Sequence, residues 1–280
     1  MSVASDFPKF DVHCHTTNRP LSHTASPDAT LDSIVSIARG YNIQKTLLLA
    51  TYFPKKGTGV SNFRMRYWMD LVHQDRRLNN PFIMFGSLDF EHYFKQGFNE
   101  LEELAERKLI KGVKIYAGYQ NLDLLKLETL ILPLCVQHDF PIMFHTGDCT
   151  GMNGVYADVE EFDPLVEKFP NVPFLYSHLC NPNLQKVTDR VTRYKNVYTD
   201  MSGLIHSVHD RHELPLAIEN VRRFYDTCGI DRLMFGTDFP VQTHADSIQI
   251  AEKALHDTAS KEELQKFYWS NANEIFGGKF

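Results

Sequence analysis

The sequence predicts a (β/α)8 TIM barrel, an α/β fold forming a single domain over residues 1–280 with an extra C-terminal helix. Three observations lead there. Eight short apolar runs recur along the chain, and a helix-period segment follows each of them. The runs are continuous rather than alternating, as befits strands of a parallel sheet buried on both faces. No Pro-, Gly- or Ser-rich linker divides the chain.

In order, the predicted strands are Lys9 to His13, Lys45 to Thr51, Phe82 to Leu88, Gly112 to Tyr116, Pro141 to His145, Pro173 to His178, Asn196 to Asp200 and Arg232 to Thr237. Between and after them the apolar spacing predicts helices over Leu31 to Arg39, Phe63 to Leu78, Phe98 to Arg107, Leu122 to His138, Val159 to Lys168, Leu184 to Tyr194, Leu216 to Cys228 and Ala245 to His256. Asp28-Ala29-Thr30-Leu31-Asp32 reads as a helix start. Ser260-Lys261-Glu262-Glu263 reads as a capping box that opens the additional helix. Eight β-α units without a break close into a barrel. A doubly wound open sheet is the structural alternative, but a glycine-rich dinucleotide fingerprint belongs after its first strand, and His13-Cys14-His15-Thr16-Thr17 stands there instead.

Composition narrows the function. A chain of 280 residues, 43% hydrophobic and 23% charged, falls in the ordinary globular class. A formal charge of −6 without basic tracts argues against nucleic acid and anionic membrane as partners. The longest apolar stretches are far too short to span a bilayer. Residues 1–6 have neither a basic nor an apolar signal region, so a cytoplasmic location is expected. The cysteines, Cys14, Cys135, Cys149, Cys180 and Cys228, are odd in number and lack CxxC spacing, which predicts reduced packing thiols.

The chemistry lies at the strand ends. His13 and His15 sit two apart on a strand, so both side chains leave on one face and can address one ion while Cys14 points away. Apolar runs also end in His145, in His178 and, just before Phe239-Pro240, in Asp238. Lys114 lies within the fourth run. Imidazole and carboxylate at such positions are ligands for zinc and similar cations. In a barrel, strand carboxyl ends converge on one mouth, so these scattered residues meet in space.

The order His-x-His, Lys, His, His, Asp, with Phe144-His145-Thr146-Gly147, Tyr176-Ser177-His178 and Phe235-Gly236-Thr237-Asp238-Phe239-Pro240, resembles the amidohydrolase superfamily over most of the chain. The wording is similar to its second group, which includes aminocarboxymuconate-semialdehyde decarboxylase and several lactone and amide hydrolases. The resemblance implies a metal held by His13, His15, His145 and Asp238. The ion is one Zn2+, with Mn2+ as the other candidate, or two ions if Lys114 is carboxylated. It further implies that a metal-activated water is the nucleophile, that Asp238 moves its proton, and that His178 hydrogen-bonds the substrate oxygen.

The expected activity is hydrolysis of a small amide, ester or lactone bearing a carboxylate, with nonoxidative decarboxylation as the nearest alternative. A TatD-like nuclease or phosphoesterase shares the opening histidines, but it has glutamate in place of Lys114 and Glu-Thr-Asp in place of Gly236-Thr237-Asp238. A noncatalytic barrel with a structural metal is disfavoured, since structural zinc sites fill all positions, often with cysteine. Lys55, Arg64 and Tyr116 are candidate substrate-binding residues on loops and strand ends, with Lys56, Asn18, Arg19, Tyr119 and His206 as further lining candidates. The remaining histidines, His244 among them, read as ordinary surface or helix-terminal residues. A small-molecule substrate is the expected partner. Members of this group often pair, so a homodimer is compatible, although no segment marks an interface.

Overall fold

The computed structural model describes residues 7–17, 29–54, 58–74, 82–149, 152, 155–205 and 208–277. Its barrel strands are β1 (Lys9–Cys14), β2 (Ile43–Leu49), β3 (Phe82–Phe85), β4 (Val113–Ile115), β5 (Ile142–Phe144), β6 (Phe174–Tyr176), β7 (Val197–Asp200) and β8 (Leu233–Met234). All pair in parallel, in a run of three, β1-β2-β3, and a run of five, β4 to β8. Single parallel bridges join the runs at Gly86 with Val113 and at Cys14 with Phe239. Backbone bonds support each seam: Lys114 N–H donates to Gly86 O at 2.8 Å, and Val12 N–H to Phe235 O at 3.0 Å. The cylinder is therefore closed, which excludes the open doubly wound sheet.

Alternation within the strands sorts the core into two. Phe10, Val12, Leu47, Leu49, Ile83, Phe85, Met143, Leu175 and Met234 point inward and pack with Ala272, Ile275 and Phe276 from the C-terminal segment. Their strand neighbours Val113, Ile115, Ile142, Phe144, Phe174 and Tyr176 point outward beneath the helices. Lys114 shares a register level with Met143, so this cation stands inside the barrel, fully buried.

Helices are α1 (Leu31–Gly40), α2 (Asn62–Gln74), α3 (Phe94–Glu106), the stretch Leu124–Lys126, Leu127–Ile131 and Leu132–His138 taken together as α4, then α5 (Asp163–Lys168), α6 (Leu184–Arg193), α7 (Leu214–Cys228), α8 (His244–Leu255) and α9 (Lys261–Gln265). In α1 the Thr30 side chain caps Ser33 N–H, while Leu31, Ile34, Val35 and Ala38 form the buried stripe. Ser260 and Glu263 make the expected capping box on α9.

Two predicted helices are less regular than their periodicity implies, and proline is the reason. The middle of α4, Leu127–Ile131, widens into a π turn just ahead of Pro133. There the missing N–H cannot bond to the carbonyl four residues back. Likewise Val159–Phe162 is a 3-10 turn, and α5 restarts with Pro164 in its first turn. Two antiparallel hairpins that strand counting did not foresee rise from the mouth, Thr51–Phe53 with Thr58–Val60 and Gly147–Asp148 with Tyr156–Ala157. Among the described residues no helix is long and apolar enough to cross a membrane.

Candidate metal centre and active site

At the carboxyl mouth the structure brings His13, His15 and Asp238 together, their donor atoms all within 4.8 Å of one another. A second such group, His13, His178 and Asp200, shares His13. His145 belongs to neither group and reaches them through His178, its Nδ1 lying 3.2 Å from His178 Nε2.

Each imidazole is anchored by its outer nitrogen. His13 Nδ1 lies 3.1 Å from Asp200 Oδ2, and His15 Nδ1 is 3.3 Å from Leu49 O. His145 Nε2 is 3.0 Å from Asp148 O, and His178 Nδ1 is 2.9 Å from Ser202 O. Carboxylate and carbonyl oxygens only accept, so these outer nitrogens carry the protons and the inner ones present lone pairs. Burial, reinforced by the Lys114 charge, pushes His13 down to about 3. Burial also lowers His178 and takes His145 well below its ordinary value. These three rings are therefore neutral at ordinary pH.

The inner lone pairs then face other lone pairs. His13 Nε2 and His15 Nε2 lie 3.4 and 3.2 Å from Asp238 Oδ1, and His145 faces His178 as described. Such encounters repel unless a cation lies between them. The set, imidazole nitrogens with one carboxylate, thus fits zinc or a similar divalent ion by its chemistry.

Backbone strain accompanies the site. Asp238 (φ 58) and the run His178, Leu179 and Cys180 (φ 64, 50 and 53) are left-handed without being glycine. Gly203 (φ 58) packs against both centres, where a Cβ would stand 2.7 Å from Asp238 Oδ2 and 2.8 Å from His178 Nδ1. Close approach explains the glycine as much as its φ does.

Carboxylates overlooked by the sequence reading hold the frame. Asp200 ends β7 and accepts from His13 Nδ1, from His178 N–H at 3.1 Å and from Ser202 N–H at 3.0 Å. Burial opposes its charge, yet the His13 ring beside it holds it below the usual carboxylate range. Asp11 spans the β8–β1 seam, accepting from His13 N–H at 3.1 Å, Thr237 N–H at 3.0 Å and Thr237 Oγ1 at 2.7 Å. Burial pushes Asp11 up to about 7 against those bonds. The signal for both was in the sequence, an aspartate inside an otherwise apolar strand. His244, expected at the surface or at a helix end, is at a helix end but not at the surface. It opens α8 but is 1% exposed, 3.8 Å from Asp11 Oδ2, and burial lowers it to about 4.

Lys114 donates from Nζ to Ser177 Oγ at 2.8 Å, and burial lowers it to about 7 despite nearby Asp200 and Asp238. Tyr116 is buried with its hydroxyl on Ala50 O at 2.7 Å and its ring 6.4 Å from His15. Phe53 from the first hairpin lies 4.8 Å from both Tyr116 and Tyr119, and Tyr119 is 4.8 Å from His145. Together they wall one side of the site with aromatic faces. Cys149 packs into that wall, and Cys180 is buried nearby with its thiol on Thr146 Oγ1 at 3.3 Å. Arg64 is exposed in the first turn of α2. Lys55, Lys56, Asn18, Arg19 and His206 lie outside the described residues.

Comparison with solved structures finds barrels of the same fold. A protein described as a probable 2-pyrone-4,6-dicarboxylic acid hydrolase from Acinetobacter baumannii, with citric acid bound, is 18% identical at a TM-score of 0.67, covering 97% of this chain and 100% of its own. An amidohydrolase from Burkholderia multivorans with bound zinc is 13% identical at 0.68, covering 96% and 99%. The 5-carboxyvanillate decarboxylase of Sphingomonas paucimobilis is 15% identical at 0.61, covering 90% and 84%. No curated protein matches the chain. The amidohydrolase family model, in contrast, matches residues 10–278, nearly the whole barrel, and this chain belongs to that family as an enzyme of the amidohydrolase type.

Proposed function

We propose that the protein is a metal-dependent hydrolase that cleaves a small, planar, carboxylate-bearing amide, ester or lactone. The observation that carries this reading is the orientation of four anchored imidazoles, His13 and His15 turning bare nitrogens onto Asp238 and His145 and His178 turning theirs toward each other. His13, His15 and Asp238 hold the ion, and His145 completes the set in place of its contact with His178. Zn2+ suits these donors best, with Mn2+ the next candidate. When bound, such an ion brings the pKa of its water toward neutrality and polarises an acyl oxygen.

The chain's own groups do the rest. Asp238 turns Oδ1 to the histidines and Oδ2 toward Gly203 and His178, which leaves one oxygen to accept the attacking water's proton and pass it to the leaving amine or alkoxide. His178, its inner nitrogen bare, is placed to accept a hydrogen bond from the attacking water. Phe53, Tyr116 and Tyr119 offer flat faces to a ring and exclude water on that side. Lys114 is engaged by Ser177, which supports a single ion rather than a carboxylated bridge between two. Lys55 and Arg64 are the candidate readers of the substrate carboxylate.

Metal analysis with chelation and reconstitution tests the reading. About one equivalent of Zn2+ per chain, and aryl-lactone or ester cleavage lost to chelator and restored by Zn2+ or Mn2+, is the expected result. Activity indifferent to chelation overturns it, and two equivalents return Lys114 to the metal site. The aromatic wall equally suits ring carboxylates as decarboxylation substrates. Assays for released CO2 against released acid decide between the two. We further propose a cytoplasmic protein without nucleic-acid or membrane partners; light scattering tests for a homodimer.

A further inference from the structure

Beside the seam where β8 meets β1, one buried imidazole has no hydrogen-bond partner on either ring nitrogen among the described residues. This is His244, the first residue of α8. The Thr243 side chain caps that helix by accepting from Asp246 N–H, which fixes where His244 enters its first turn. The ring lies nearly parallel to that of Tyr41, centroids 6.1 Å apart at 9°, and 4.7 Å from Phe239, the residue after Asp238. Burial lowers it to about 4, so at ordinary pH it is a neutral ring with one N–H and one lone pair.

The Asp11 carboxylate faces this ring. Nε2 of His244 stands 3.8 Å from Asp11 Oδ2, and among the described residues no other basic side chain comes that close to the carboxylate. Asp11 is fully buried and its bonds are directed: Oδ1 accepts from His13 N–H and Thr237 N–H, while Oδ2 accepts from the Thr237 hydroxyl. A carboxylate has about four acceptor sites, so Oδ2 keeps one for His244. The two backbone groups that Asp11 grips flank a joint between the ligands, where Asp238 N–H donates to His13 O at 2.7 Å. A buried N–H without an acceptor is unfavourable, and a shift of about 1 Å turns the 3.8 Å separation into a bond of ordinary length.

We propose that His244 is a positioning residue of the metal centre, donating from Nε2 to Asp11 and so fixing the two strand ends that present His13 and Asp238. This rests on the metal reading of that site. His244 acts through Asp11, and ring contacts with Tyr41 and Phe239 keep the imidazole from turning away.

Histidine-selective ¹⁵N NMR of the zinc-loaded chain reads the tautomer directly, with His244 assigned through NOEs to the Phe239 ring. The Nε2–H form is expected. An Nδ1–H form overturns the proposal without any substitution, so the test does not depend on a variant that folds. Two variants supply a second readout: His244→Gln, whose amide reaches about where Nε2 stood, and His244→Phe, which keeps the ring contacts and lacks the donor. In competition with a chromogenic chelator, His244→Phe is expected to bind Zn2+ about tenfold more weakly, the lower end of what partners supporting a ligand contribute, and His244→Gln to stay within about twofold of wild type. Equal affinity in all three, or equal loss in both variants, overturns the proposal, because packing alone favours the aromatic replacement over the amide. Wild-type chain that takes up no zinc defeats the metal reading by itself, since the His244 tautomer is read equally well without the ion.

Discussion

Asp200 Oδ2 accepts the Nδ1 proton of His13 at 3.1 Å, tying β7 to β1 across 187 residues of sequence. One carboxylate thereby fixes which nitrogen of His13 faces Asp238. It also grips the backbone of His178 through the other oxygen. Partners of this kind tune a ligand without touching the ion, and their loss characteristically costs 10–100-fold in affinity. Asp200→Asn is therefore expected to weaken Zn2+ binding by about that factor, read by competition with a chromogenic chelator. Unchanged affinity in a folded variant shows that the His13 tautomer does not depend on Asp200.

Gly203 leaves no room for a side chain. Gly203→Ala places a Cβ 2.7 Å from Asp238 Oδ2 and 2.8 Å from His178 Nδ1, on a backbone at φ 58. One group must move, and displacement of about 1 Å in such a site costs on the order of 10²-fold in rate. Turnover of Gly203→Ala compared with wild type checks this, and near-wild-type rates contradict it.

His178 and His145 separate by role. Replacing His178 by Asn should lower kcat by about 10²–10⁴-fold with bound zinc unchanged, because a proton acceptor beside the reacting water is lost and a ligand is not. His145→Asn should instead lower zinc content. Elemental analysis beside steady-state kinetics discriminates them, and zinc loss in the His178 variant reverses the assignment.

Lys114 imposes a pH dependence with a definite sign. Its folded pKa, about 7, lies below its ordinary 10.5 because burial disfavours the ammonium. Between those values the unfolded chain holds one more proton than the folded one, so this group's contribution to stability rises with pH. The penalty is full below about 7 and gone above 10.5. Urea unfolding of chelated wild type and Lys114→Met should diverge across that window, wild type gaining relative to the variant as pH increases. Parallel curves would mean that the buried amine keeps an ordinary pKa.

Thr237 joins the seam to the site. Its hydroxyl donates to Asp11 Oδ2 at 2.7 Å and accepts from Phe239 N–H at 3.1 Å, bracketing Asp238. Thr237→Val keeps the shape and strands both partners, which should cost about 1–3 kcal/mol in urea unfolding and weaken zinc binding as well. Unaltered stability excludes Asp11 as the lock between β8 and β1.

Periodicity and composition alone determined the strand-helix alternation, the capped C-terminal helix and the ligand-type residues at strand ends, because these depend on spacing along the chain and on local hydrogen bonding. Asp200 and Asp11 escaped that reading although each is an aspartate inside an apolar strand, since the groups that show what they do, His13 and Thr237, lie far off in sequence. Only tertiary structure decided which nitrogen of each histidine faces inward, that Gly203 lies within contact of two site residues, and that His244 is interior. Closing the barrel brings residues near 11, 145, 178, 200 and 238 to one mouth, and the distances that set tautomers, pKa shifts and steric limits exist only after that closure.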